Sequence, residues 1–213
     1  MQKSKWSISS AQYSILASTM ASMFLWGVIL SLGSLSASGR LISMLSSTQK
    51  MIILLVGPLF LLLGDFTVGV MSDRLGRKTM FMVTMFSYGT GILAIILSTC
   101  IDDFIGIVAG LALSEFGIGG EEPPALSLIT ENFSVDTRAF FLTFVTNFGN
   151  IGSAFMSGLL LFMPSSFTFY AIMGTGIAIL AVLVAARLSM PESYRGLREK
   201  GREEEAIKER SRL

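Results

Sequence analysis

The 213-residue chain has no histidine and a single cysteine, Cys100. These absences exclude an internal disulfide, a cysteine-built metal cluster and the side chain that most readily carries protons near neutral pH. No metal or cofactor is expected, and a proton carrier would have to be a carboxylate. Charge is also scarce: Asp, Glu, Lys and Arg make up 15% of the residues, against 52% apolar ones, and mean hydropathy is +0.67. So little polar surface rules out an ordinary soluble domain and places the chain in a bilayer. No stretch joins a nucleophile to a base or forms a phosphate-binding loop, so an enzyme is not expected. A net charge of +1 gives no reason to expect a nucleic-acid partner.

Long apolar runs are what the chain does have. A helix needs about 20 such residues to cross the hydrocarbon core. Runs of this kind cover roughly Ser14–Leu35, Met51–Met71, Thr79–Thr99, Phe104–Thr130, Phe140–Met163 and Phe167–Ala186. The expected fold is therefore an all-α membrane protein with six transmembrane helices over residues 1–190. A charged tail or the start of a linker follows at 191–213. The first run is longer than the ~7–15-residue apolar core of a signal peptide. Glu115, Glu121, Glu122, Pro123 and Pro124 interrupt the fourth, and neighbouring helices can resatisfy a broken backbone there.

Basic residues set the orientation. Lys3, Lys5, Arg74, Arg77, Lys78, Arg138, Arg187 and the seven in the tail fall on one side, whereas only Arg40 and Lys50 fall on the other. The richer side is expected to be cytoplasmic, which puts both termini inside and the Asp102–Asp103 turn outside.

Between the second and third runs stands Gly69-Val70-Met71-Ser72-Asp73-Arg74-Leu75-Gly76-Arg77-Lys78. This order resembles the Gly-x-x-x-Asp-Arg-x-Gly-Arg-Arg/Lys loop of the major facilitator superfamily. A tight turn between two helix ends suits glycine, and the basic residues suit an anionic inner surface. Gly117-Ile118-Gly119-Gly120-Glu121, followed by Glu131 and Arg138, resembles the sugar-porter-like and metabolite/proton symporter branches. So does Pro191-Glu192-Ser193-Tyr194-Arg195. Two positions depart from the sugar-porter pattern, Leu111 for an arginine and Ala139 for a glycine, and the first weakens a sugar-binding reading. The resemblance implies the amino-terminal six-helix half of a transporter, with Gly69, Asp73, Arg74, Gly76, Arg77, Lys78, Glu131, Arg138, Glu192 and Arg195 in a cytoplasmic gating network. Loosely solvated charges are the plain alternative.

Four acids lie within the runs. At 1.5 Å per residue, Asp65 is about 12 Å from Asp73, and Glu115 about 16 Å from the outer start of the fourth run. Seven residues separate Glu122 from Glu115, which on an unbroken helix puts them on nearly one face and turns Glu121 elsewhere. A charged carboxylate at this depth needs water, a cation or a proton. Asp65, Glu115, Glu121 and Glu122 are therefore candidate proton or substrate residues, together with Asn147 and Asn150. Each acid has the alternative of a protonated group that bonds between helices. Thr19, Ser22 and Trp26 are further cavity candidates, with close helix packing the stronger reading for the hydroxyls.

Complete carriers of this kind hold two six-helix bundles with the solute between them. This chain is expected to act as one such half in the cell membrane, moving an organic acid or similar metabolite with protons. Its second bundle would be another copy or a separate carboxyl-terminal half. In a homodimer, Asp73 would approach the stretch Asp136 to Arg138 of the second copy, where a helix amino end and Arg138 favour an anion. A membrane sensor, an assembly subunit or a truncated fragment remains the alternative.

Overall fold

The computed structural model describes residues 8–38 and 45–162, with isolated positions beyond. All regular structure among them is helical: α1 (Ser10–Ala37), α2 (Ser47–Leu75), α3 (Arg77–Cys100), α4 (Phe104–Gly119), α5 (Glu122–Asn132) and α6 (Val135–Phe162). Helices α4 and α5 together form one span, Phe104–Asn132, so five segments are long and apolar enough to cross a bilayer. The expected sixth run, Phe167–Ala186, falls almost wholly outside the described residues, as do the side chains of Glu192 and Arg195.

Caps fix the helix boundaries. Ser46 accepts from Gln49 N–H at 3.2 Å while the Gln49 side chain takes Ser46 N–H at 2.9 Å, a capping box that starts α2. Asp103 starts α4 by accepting from the N–H groups of Ile105 and Gly106, both at 3.1 Å. Between α2 and α3 a single residue, Gly76, reverses the chain with φ 91° and ψ 146°, a conformation open in practice only to glycine. Gly76→Ala should therefore lower stability by about 1–3 kcal/mol. A fall of several degrees in Tm checks this, and an unchanged Tm would contradict it.

Helix α3 lies along α4, α1 along α6, and α2 along α4. One apolar core joins Leu25, Ile29, Tyr88, Ile92, Ile107, Leu111 and Ile118, drawn from α1, α3 and α4. A second gathers Ile15, Phe81, Leu128, Ile129, Phe133 and Phe141 around α5. The fourth span thus enters one core through α4 and the other through α5. Within lipid, burial of apolar surface does not separate helix from helix, and close packing of small residues takes over. Accordingly, a Cβ on Gly27 of α1 would lie 1.8 Å from the Gly149 carbonyl oxygen of α6. One on Gly64 of α2 would lie 2.0 Å from the Phe116 carbonyl oxygen of α4. The outer faces of α2 and α3, with Leu55, Leu62, Phe66, Phe86 and Leu97, are exposed apolar surface suited to lipid tails.

Candidate functional site

The acids of the fourth span sit on either side of a defect in it. Pro123 and Pro124 have no N–H to offer the carbonyls of Gly119 and Gly120, so regular α bonding stops there. Glu121 N–H instead reaches back three residues to Ile118 O at 3.1 Å, and α5 restarts with Ala125 N–H on Glu121 O at 3.1 Å. The two prolines thus account for the break between α4 and α5. It also changes the reading of the acids, because the seven-residue spacing of Glu115 and Glu122 does not run along one continuous helix.

Glu115, on α4, is 1% exposed. It packs beside Gly57 of α2, where a Cβ would stand 3.4 Å from Glu115 Oε1, an ordinary contact. Its Oε2 is buried with no hydrogen-bond partner among the described residues. A buried carboxylate oxygen with an open valence is costly unless it holds a proton, a water or a ligand group. Ser114 Oγ beside it in sequence is buried and unpartnered too.

Glu121 is fully buried and differently placed. Its Oε2 accepts from the hydroxyl of Ser22 on α1, and its Oε1 lies 3.3 Å from Thr84 Oγ1 on α3. The Thr84 hydroxyl shares its proton with the Phe81 carbonyl, 3.0 Å away. Asp65 and Glu122 are both partly buried, on α2 and at the start of α5. Asn147 and Asn150 lie on an exposed stripe of α6: Asn147 Nδ2 donates to Thr143 O at 2.7 Å, and Asn150 Nδ2 to Asn147 Oδ1 at 3.3 Å.

At the end of the bundle holding the α2–α3 turn, Arg77 pairs with Glu131 of α5 at 3.2 Å and donates to Ser72 Oγ at 3.0 Å. Arg138 Nη2 donates to the Phe133 carbonyl at 3.4 Å, whereas its Nε is buried with no hydrogen-bond partner among the described residues. Gly69 faces Pro123, 3.6 Å from where its Cβ would be. Arg74 is exposed, and the side chains of Asp73 and Lys78 fall outside the described residues.

The bundle therefore joins Arg77 to Glu131, and Glu121 to two hydroxyls. It keeps Glu115 separate from both and leaves Asn147 and Asn150 on an outer face. Thr84 was missed from sequence, where a threonine inside an apolar run carries no signal. Ser22, a cavity candidate for which close packing is the stronger expectation from sequence, donates to a carboxylate 99 residues away.

Five bilayer-length apolar helices, with ionisable groups held between them, make this a multi-pass membrane protein. Residues 8–212 match the Major Facilitator Superfamily, and the chain belongs to that family. It is 29% identical over 132 residues to the putative niacin/nicotinamide transporter NiaP of Bacillus subtilis, a match covering 61% of this chain and 32% of that protein. It is also 29% identical over 147 residues to the putative metabolite transport protein YaaU of Escherichia coli, covering 68% and 32%. The niacin transporter NiaP of Acinetobacter baylyi is 27% identical over 152 residues, covering 71% and 34%. The chain thus spans about a third of the length of these curated relatives. Family and relatives alike belong to transport rather than to enzymatic catalysis.

Proposed function

We propose that the chain is one six-helix half of an alternating-access secondary carrier, with both termini cytoplasmic, that moves a small organic acid or similar metabolite together with protons. The single observation that carries the coupling is Glu115, a carboxylate 1% exposed within the fourth span, one of whose oxygens has no hydrogen-bond partner among the described residues. Protonation removes its charge when it is closed off, and an aqueous path opened by the transport cycle lets the proton go. The names of the relatives point to niacin-like solutes, so nicotinate and nicotinamide are the first compounds to offer.

A second bundle is part of this reading. Asn147 and Asn150 face outward from α6, and amides turned to hydrocarbon would be costly. A second bundle with a wet cleft between the two gives them a polar surround. No Lys or Arg occurs in the sequence between Lys50 and Arg74 or between Lys78 and Arg138. A carboxylate solute therefore travels protonated or meets a basic group from the other bundle. That requirement favours a separate carboxyl-terminal half over a second copy, which would bring the same four acids again. Arg77–Glu131, with Asp73, Arg138, Glu192 and Arg195, then serves as the cytoplasmic gate.

Liposomes containing the chain, given an inward proton gradient and labelled nicotinate, nicotinamide or other small organic acids, test the proposal. Uptake should depend on the gradient and fall at least about tenfold in Glu115→Gln, since one carboxylate carries the proton. Uptake that ignores both gradient and Glu115 would remove the coupling. Absence of uptake, also after addition of a carboxyl-terminal bundle, would favour a sensor or assembly subunit.

A further inference from the structure

We infer that Glu121 is a positioning residue, a latch that ties the bend of the fourth span to α1 and α3, rather than a second proton carrier. The inference rests on the carrier reading for its meaning in transport, but not for its test. Helical hydrogen bonding is interrupted there, because Pro123 and Pro124 bring no backbone donors to Gly119 and Gly120. Close contacts hold it on the α2 side, where a Cβ on Gly119 would lie 2.2 Å from the Leu61 carbonyl oxygen and one on Gly120 2.4 Å from Val68 Cγ2. Glu121 adds polar bonds to α1 and α3. One carboxylate oxygen takes the Ser22 hydroxyl of α1 and the other faces the Thr84 hydroxyl of α3.

Both oxygens are thus engaged by different helices, whereas Glu115 keeps one oxygen open. The two buried acids have different work. Glu121 also stands where α4, bearing Glu115, meets α5, bearing Glu131. Setting the angle of that joint sets the position of the candidate proton site relative to the Arg77–Glu131 pair. A carboxylate is well suited to this, because its two oxygens can accept from two hydroxyls on different helices at once.

Amide hydrogen exchange on the purified full chain in nanodiscs tests the latch without any solute, so failure here is separate from failure of the uptake experiment. The variants are Ser22→Ala with Thr84→Val, Glu121→Leu and Glu121→Gln. The double hydroxyl variant and Glu121→Leu should each speed exchange at residues 119–122 and 125 about tenfold, with amides of α3 beyond Ile92 unchanged. Glutamine keeps one acceptor and gains a donor, and should hold exchange within about threefold of the wild type. Combining Glu121→Leu with the double hydroxyl variant should add nothing, as for groups acting through one another. Wild-type exchange in the double hydroxyl variant, or equal exchange in Glu121→Gln and Glu121→Leu, overturns the latch. Should Glu121→Leu fail to fold, the hydroxyl variants and Glu121→Gln decide it.

Discussion

Gly27→Ala should destabilise the bundle by about 3 kcal/mol or more, at or above the upper end for overpacking. The added methyl would sit 1.8 Å from the Gly149 carbonyl oxygen and 2.8 Å from the Ser153 amide nitrogen. Both are backbone atoms of α6, so no rotamer change relieves the clash and the two helices must separate. Separation also breaks the bond from Ser153 Oγ to the Gly27 carbonyl, 3.0 Å long, which crosses the same seam. A control lies on the same helix: around Gly33 a Cβ would meet nothing within 4 Å. Gly33→Ala should be neutral or stabilising by up to about 1 kcal/mol, the helix-propensity difference. Thermal unfolding in detergent, followed by tryptophan fluorescence, reads both. Equal Tm values for the two variants would mean that α1 and α6 do not pack as described.

The spans were legible because length and hydropathy are local properties, and α1 to α3 extend only a few residues beyond the apolar runs where polar caps such as Ser46 take over. The interruption at Gly119, Gly120, Glu121, Pro123 and Pro124 was legible as a defect, since glycine and proline act on their own backbone. What fills a defect is not local. Glu121 falls off the Glu115–Glu122 face of an ideal helix, and the fold brings it to Ser22 and Thr84, 99 and 37 residues away in the chain. For Glu115 the sequence supplied charge and place along the span, while the packing of its carboxyl beside Gly57 of another helix is set by the fold. Motif resemblance brought Arg77 and Glu131 into one network, and the fold joins them directly. Arg138 shows the limit of that inference, because the described contact of its guanidinium is with a backbone carbonyl.

Removing Arg77 should harm the fold far more than removing Glu131. The pair is 3.2 Å apart, with each side chain 14% exposed, and the second Glu131 oxygen is buried with no hydrogen-bond partner among the described residues. Arg77→Met strips the cation from a carboxylate that has no other partner among the described residues, at a cost of roughly 3–5 kcal/mol. Glu131→Met leaves Arg77 its contact with Ser72 Oγ, which itself donates to the Gly69 carbonyl at 2.9 Å. The long arginine stem can also carry its charge toward water. A loss of about 1–2 kcal/mol is expected there, within the range for one lost charge-assisted bond. The double variant, with no charge left to bury, should be more stable than Arg77→Met alone, because two apolar side chains can replace a buried pair at little cost. Denaturation midpoints of the three variants measure this order. If the double variant lost the sum of the two single losses, Arg77 and Glu131 would be acting independently, and the joint between α5 and the α2–α3 turn would need another explanation.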